Sequence, residues 1–367
     1  MISVKTPGLS RKSLNNERTQ WGQDDFLSHL TAAFLSDDQT EQAVYKKHFS
    51  LGATDFTVSS SSRNTLNAIT QALAHIEMPQ KEGTLRITIH CGFSNQSQQF
   101  FNQLNALSGN KVVRLQNNRF MFLYNPGLEQ SIPTFSFLDH DTGQAVFWVA
   151  DEQKIPWYGL AAPFRTIFNW FFANQGVVMV HAACIGIGDT GVIIVGRGGK
   201  GKTSTALSFL HNKKLSYLAD DYVLLDVRSS PKAISLFSSA KIDTASLLRF
   251  PELQNISHRP AEPYEKKTVF FFYPDRADQL AKTISVKAII TPNIAQATTT
   301  TFRSIAGAQA LIDIAPSTIF QLWPENTQNN SFASMATLTK SVPSFEMELS
   351  NDPREISQSL VTFLEAL

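Results

Sequence analysis

The sequence predicts an α/β protein in two parts, an N-terminal mixed α/β domain over residues 1–155 and a larger α/β domain over 156–367. Three observations predict it. Apolar runs of strand length alternate with segments whose apolar residues recur every three or four positions. Gly, Asn and Pro punctuate these runs as turns do. Near the middle, one apolar run leads straight into a glycine-rich loop and then a helical pattern.

The opening MISVKTPGLSRKSLNNERTQ is polar and lacks the apolar core of a secretory signal, so it reads as a loose tail. From Asp24 to Leu35, the spacing of Phe26, Leu27, Leu30, Ala33 and Phe34 predicts a helix. A second is expected over Asn64 to His75, with Leu66, Ile69, Leu73 and Ile76 on one face. TLRITIHCGF alternates as a strand does, and KVVRLQ, RFMFLYN and AVFWVAD are further strands. This region shows no catalytic constellation. His90 and Cys91 are neighbours on a strand, so they point to opposite faces and read as structural. APFRTIFNWFFANQG follows as an amphipathic helix closed by Gly176.

VVMVHAACIGI then reads as one strand, with a turn at Gly188-Asp189-Thr190-Gly191 and a second strand at Val192 to Val195. Beyond the loop and its helix, LSYLADDYVLLD, AISLFSS, TVFFFYP and VKAIITP read as strands. PSTIFQLW starts a helix with Ser317 as its N-cap, and the terminal VPSFEMELSNDPREISQSLVTFLEAL reads as a strand and a helix.

Composition excludes several function classes. With 43% hydrophobic and 17% charged residues the chain has material for a core, and its formal net charge of +1 sets up no field for nucleic acid or a membrane surface. Cys91 and Cys184, the two cysteines, stand at no metal-ligand spacing, so free thiols are expected rather than a disulfide framework or a zinc cluster. The most apolar stretch, Phe164 to Val180, is interrupted by Arg165, Asn169, Asn174, Gln175 and Gly176 and is too polar to span a bilayer. A soluble, cytoplasmic protein is the expectation.

Gly196-Arg197-Gly198-Gly199-Lys200-Gly201-Lys202-Thr203 matches G-x-x-x-x-G-K-[ST] between a strand and a helix. Glycines let the backbone turn so that successive N–H groups face phosphate oxygens. Lys202 reaches the β- and γ-phosphates, and the Thr203 hydroxyl coordinates Mg²⁺. These eight residues and the following Ser204 are the candidate ATP site, with Arg197 and Lys200 either touching phosphate or facing water.

Asp220 and Asp221 lie 18 and 19 residues after Lys202, at the end of an apolar strand where Mg²⁺ chemistry beside such a loop needs acid. One carboxylate suits taking a proton from a hydroxyl acceptor and the other suits holding metal, directly or through water. His181 sits on the strand before the loop strand, where it is expected to approach Asp220. Lys241, Lys266 and Lys267 lie at strand edges and are expected to face water, Lys267 being the one to test as a phosphate contact.

VHAACIGI, GVIIVGRGGKGKTSTAL and LADDYVLLD, in this order and spacing, resemble the catalytic domain of HPr kinase/phosphorylase and the broader group of HPr-kinase-like bacterial proteins. The resemblance covers Val177 to about Asp226 and continues weakly through IAPSTIFQLW and the terminal strand and helix. It implies a P-loop catalytic domain like that kinase and phosphoenolpyruvate carboxykinase. It also implies ATP- and Mg²⁺-dependent phosphorylation of a serine, or less often threonine, hydroxyl on a peptide or protein. By matching positions Asp220 becomes the general base, with His181 its close neighbour; from the loop motif Lys202 goes to the phosphates, and Asp221, with Thr203, is then taken for metal, the division of roles between the two aspartates staying open. HPr-kinase-related proteins also accompany peptide natural-product pathways, including lasso peptides, where they phosphorylate a precursor serine. The N-terminal domain then reads as a peptide-recognition part. A kinase of a small hydroxyl-bearing metabolite and a non-catalytic ATP-binding module are the alternatives, and a homo-oligomer stays open.

Overall fold

Runs of Val, Ile and Phe build two large sheets in the computed structural model, which describes residues 23–35, 45–81, 83–109, 111–127, 132–262, 265–322 and 325–367. The tail expected over the first residues lies outside the described ones. Two units divide the chain. Residues 1–50, 54–69 and 78–156 form the first, and residues 51–53, 70–77 and 157–367 the second.

The first unit is organised by an eight-stranded sheet. Its strands are β1 (Tyr45–Leu51), β2 (Thr54–Ser60), β3 (Glu77–Met78), β4 (Leu85–Cys91), β5 (Val113–Gln116), β6 (Phe120–Asn125), β7 (Thr134–Asp139) and β8 (Gln144–Val149), in the order β3-β1-β2-β4-β8-β7-β6-β5. β2, β4 and β8 run parallel, and β5 to β8 form an antiparallel meander. Helices Gln23–Phe34 and Asn95–Ser108 pack on it through Phe26, Phe34, Phe100, Phe101, Phe122, Phe135 and Trp148. A run of ring contacts therefore takes up much of the aromatic content of this part of the chain.

β1, β2, β3, β7 and the helix Asn95–Ser108 have no counterpart among the elements expected from the sequence. That helix is polar over most of its length, which hides its period. Its ends carried a signal all the same: Ser94 and Ser97 form a reciprocal capping box, and Gly109 closes it at φ 60°.

The second unit holds a mixed nine-stranded sheet. β9 (Val178–Val180), β10 (Ala183–Ile187), β11 (Thr190–Ile194), β12 (Ser216–Ala219), β13 (Val223–Asp226) and β14 (Lys232–Ile234) belong to it. So do β18 (Thr283–Ala297), β19 (Thr301–Ile305) and β20 (Ser344–Ser350). Its order is β12-β10-β11-β18-β14-β13-β9, with β20 pairing β18 and β19. A small sheet of β15 (Ser239–Asp243), β16 (His258–Arg259) and β17 (Lys267–Phe271) lies apart from it.

β11 is apolar at every position from Val192 onward because both its faces are covered. Val192 and Ile194 join one core with Ala206, Phe209, Met347 and Leu360. Ile193 and Val195 join the other with Leu218, Ala310, Ile314 and Met335. Helix Pro353–Glu365 starts as its sequence asks, with the Asp352 side chain capping the N–H of Arg354 and Pro353 in the first turn.

Four expectations need correction. VVMVHAACIGI is two strands. The chain breaks at His181 and Ala182, where the His181 N–H leaves the ladder for Thr318 Oγ1 at 3.0 Å and the Ala182 N–H turns back to Val180 O. β9 then pairs β13, while β10 pairs β11 and β12. Ser317 is no N-cap, because its helix starts ten residues earlier and runs Gly307–Gln321 straight through Pro316. AISLFSS is likewise divided between β14 and β15, and LSYLADDYVLLD between β12 and β13, with Asp220 and Asp221 in the break.

Candidate functional site

The sheet order explains why three separated motifs meet. β10 runs antiparallel to both β11 and β12, so β11 and β12 point the same way on either side of it. The glycine loop leaves the C-terminal end of β11, Asp220 follows the C-terminal end of β12, and His181 precedes the N-terminal end of β10. All three therefore reach one edge of the sheet.

The loop is pinned to β18 by Val195 N–H to Ile290 O at 2.9 Å. It turns through φ values of 142° at Gly196, 80° at Gly199 and 104° at Gly201, conformations that suit glycine. Gly201 is also crowded, since a Cβ there would lie 2.4 Å from Leu349 Cδ1. Lys202 opens the following helix Lys202–Ala206, which tightens into a 3₁₀ turn over Leu207–His211. Its side chain is 7% exposed and folds over the loop, with Nζ donating to Gly196 O at 2.7 Å. Burial lowers its pKa, opposed by the charges of Asp221 and Asp220. Arg197 and Lys200 are exposed at the rim.

The two aspartates have unlike surroundings. Asp220 is 2% exposed, its Oδ1 has no hydrogen-bond partner, and its Oδ2 lies 3.5 Å from the Lys241 N–H. Burial and the neighbouring Asp221 charge push its carboxyl up to about 7, and a hydrogen bond with the Thr203 side chain opposes the rise. For Asp221, burial again pushes upward. The paired Lys241 ammonium and the His181 ring, whose Nε2 is 3.6 Å from Oδ1, outweigh it and hold the carboxyl well below the ordinary range. His181 is itself lowered, because burial outweighs the pull of Asp221, so the ring is neutral at pH 7. His181 was expected beside Asp220; the structure pairs it with Asp221, because the break after β9 turns the ring toward the second carboxylate.

Lys241 corrects another expectation. It does not face water: Ala240 and Ile242 on either side of it in β15 join the core, and its ammonium is enclosed by Asp221 and by the rings of Trp157 and Tyr222 at 5.1 and 5.8 Å. Nothing in the sequence marks it, since its partners Tyr222, Asp221 and Trp157 stand 19, 20 and 84 residues away. Lys267 on β17 lies close enough for its charge to act on Lys202 and Asp220, while Lys266 is exposed.

No protein-family model matches the chain, and no curated protein does. Among solved structures it is similar to the HPr(Ser) kinase/phosphatase from Coxiella burnetii, with 14% identity and a TM-score of 0.27, over 51% of this chain and 96% of that one. A likeness that distant says nothing of activity.

Whether Mg²⁺ fits rests on the donors. It prefers oxygen ligands and usually binds through one or two carboxylates together with substrate phosphates. The Thr203 hydroxyl and the orphaned Asp220 oxygen are such donors side by side. Among the described residues no three His, Cys, Asp or Glu side chains converge on one point, so a cation here would take its remaining ligands from phosphate and water. No helix among the described residues is long and apolar enough to cross a membrane.

Proposed function

We propose that the second unit is an ATP- and Mg²⁺-dependent kinase that phosphorylates a serine or threonine hydroxyl on a peptide or protein. The observation that carries this reading is the convergence of the glycine loop, Lys202, Thr203 and Asp220 on one sheet edge. The loop N–H groups and the Lys202 ammonium would bind the phosphates of ATP. Mg²⁺, held by Thr203 and drawn to the charge of Asp221, would neutralise the β- and γ-phosphate oxygens. The acceptor oxygen forms its bond to the γ-phosphorus as the bond to the β,γ-bridging oxygen breaks and ADP leaves. Asp220 takes the proton that the hydroxyl loses. A carboxylate poised near neutrality suits that role, and a module that only binds nucleotide needs none. Neutral His181 and Lys241 position Asp221 and keep it ionised.

A second assignment has its own observation. The Thr203 side chain lies close enough to Asp220 to lower its carboxyl, so a cation on Thr203 would also meet that carboxylate. In that case Asp220 is the metal residue, and Asp220→Asn raises the Mg²⁺ requirement instead of slowing transfer at saturating Mg²⁺. The choice of a peptide acceptor is supported by the resemblance of the three motifs and by a first unit among whose described residues no phosphate chemistry is seen. Incubation with γ-labelled ATP and candidate peptides, followed by mapping of acid-stable label, tests the reading. Label on a serine or threonine that is lost with Lys202→Ala is expected. Label found only on a free small molecule replaces the acceptor, and full turnover by Lys202→Ala removes the site.

A further inference from the structure

A cleft beside the glycine loop plays no part in the chemistry above. Its volume is about 540 Å³, within the about 300–1,000 Å³ of small-molecule sites. Lys200 of the loop borders it, together with Thr291 and Asn293 of β18, Ile305 of β19, and Ala306 and Gln309 at the start of helix Gly307–Gln321. β18 runs parallel to β11, and β20 parallel to β18. The cleft therefore sits at the C-terminal edge that carries the loop, on the side away from Asp220.

Three observations point to a ligand. Thr291 is 8% exposed, and its Oγ1 is buried without a hydrogen-bond partner. Buried hydroxyls are ordinarily paired, so an orphan bordering a cleft marks a missing partner. Ala306 caps its helix with no side-chain bond, so the Gly307 and Ala308 N–H groups gain nothing from the cap side chain, while the Gln309 N–H closes back on Ala306 O at 2.9 Å. The bordering charges also cancel: Arg303 is tied to Glu346, and Lys200 is matched by Asp313. A second phosphate site would carry net positive charge; this cleft does not.

We propose that the cleft takes the ribonucleoside end of the nucleotide whose phosphates the loop holds, an inference that rests on the phosphate-loop reading. Pro292 and Ile305 offer apolar contact for a base, the Asn293 and Gln309 amides offer donors and acceptors for its edge, and Asp313 offers an acceptor for ribose hydroxyls.

Calorimetric titration with Mg²⁺-ATP and with Mg²⁺-tripolyphosphate, which has no nucleoside, tests this on the full chain. Thr291→Val removes the hydroxyl and keeps the shape, so its melting midpoint should equal or exceed that of wild type while ATP affinity falls about five- to tenfold. Ala306→Trp, at an exposed position, should fill the cleft and weaken ATP at least tenfold. Tripolyphosphate affinity should stay within twofold of wild type in both. Unchanged ATP affinity in the two variants overturns the cleft assignment and leaves the loop reading intact. Equal weakening of ATP and tripolyphosphate overturns it in favour of a phosphate site. A wild-type protein that binds neither probe, or a Lys202→Ala variant that binds both as wild type does, removes the loop reading and this inference with it.

Discussion

Replacing Asp220 by Asn should stabilise the protein and silence it at once. The carboxyl is buried, one oxygen has no partner, and Asp221 beside it is already ionised. Its pKa in the fold is pushed from the ordinary 3.8 to about 7. In the unfolded chain it loses its proton near 3.8, so between 3.8 and 7 the folded state binds the extra proton. Stability from this group is therefore complete below pH 3.8 and declines as pH rises to 7. Each pH unit in that window costs about 1.4 kcal/mol, which gives a ceiling of ~4 kcal/mol above pH 7. Asp221 titrates with it, so part of that ceiling belongs to the pair. Asn is uncharged at every pH and mimics the protonated acid. Urea unfolding without nucleotide or Mg²⁺ should show Asp220→Asn ahead of wild type by ~1–2 kcal/mol at pH 5 and by ~2–4 kcal/mol at pH 8. Phosphoryl transfer should fall by about 10²-fold or more. A stability difference that is the same at pH 5 and pH 8 would refute the argument, because no uncompensated charge would then be buried there.

Lys241→Met leaves Asp221 buried with only His181 beside it and should cost ~3 kcal/mol, much of it recovered in Lys241→Met/Asp221→Asn; strict additivity in urea unfolding would deny the pair. The same variant should raise the His181 pKa, followed by NMR, because a cation that lowers it is gone. Gly201→Ala meets both φ 104° and the contact with Leu349, so a melting midpoint lowered by several degrees and ATP affinity lowered at least tenfold are expected, and a variant that binds as wild type would show that the loop relaxes. His75 is buried, with its Nε2 2.9 Å from Ser235 Oγ, and burial together with the Lys282 charge lowers it to about 3. The unfolded chain takes up this proton first, near 6.5, so stability is full above pH 6.5 and falls as pH drops toward 3. The loss is ~2 kcal/mol at pH 5, and His75→Gln, compared with wild type pH by pH, should lack it.

The glycine turn and the strand end at Asp220 were legible from sequence because their geometry is local. Gly196, Gly199 and Gly201 are needed where the backbone turns through positive φ, Lys202 and Thr203 follow at fixed offsets, and Asp220 ends a short apolar strand. The helix Gln23–Phe34 and the strands around Leu85 and Phe120 were legible for the related reason that a buried face repeats with the period of its element. Polar elements such as Asn95–Ser108 lack that repeat, and only their caps betray them.

What the order of residues left open was which side chains would share a low-dielectric space. Lys241 reads like any strand-edge lysine until β15 folds over the site and encloses it against Asp221. His181 reads as the neighbour of Asp220 until the break after β9 turns it to Asp221. Adjacent and chemically identical, Asp220 and Asp221 differ only in what surrounds them, one orphaned and raised, the other paired and lowered. Motifs held by backbone geometry are written in consecutive residues. Charge states depend on desolvation and on partners brought from distant strands, and those exist only once the chain has folded.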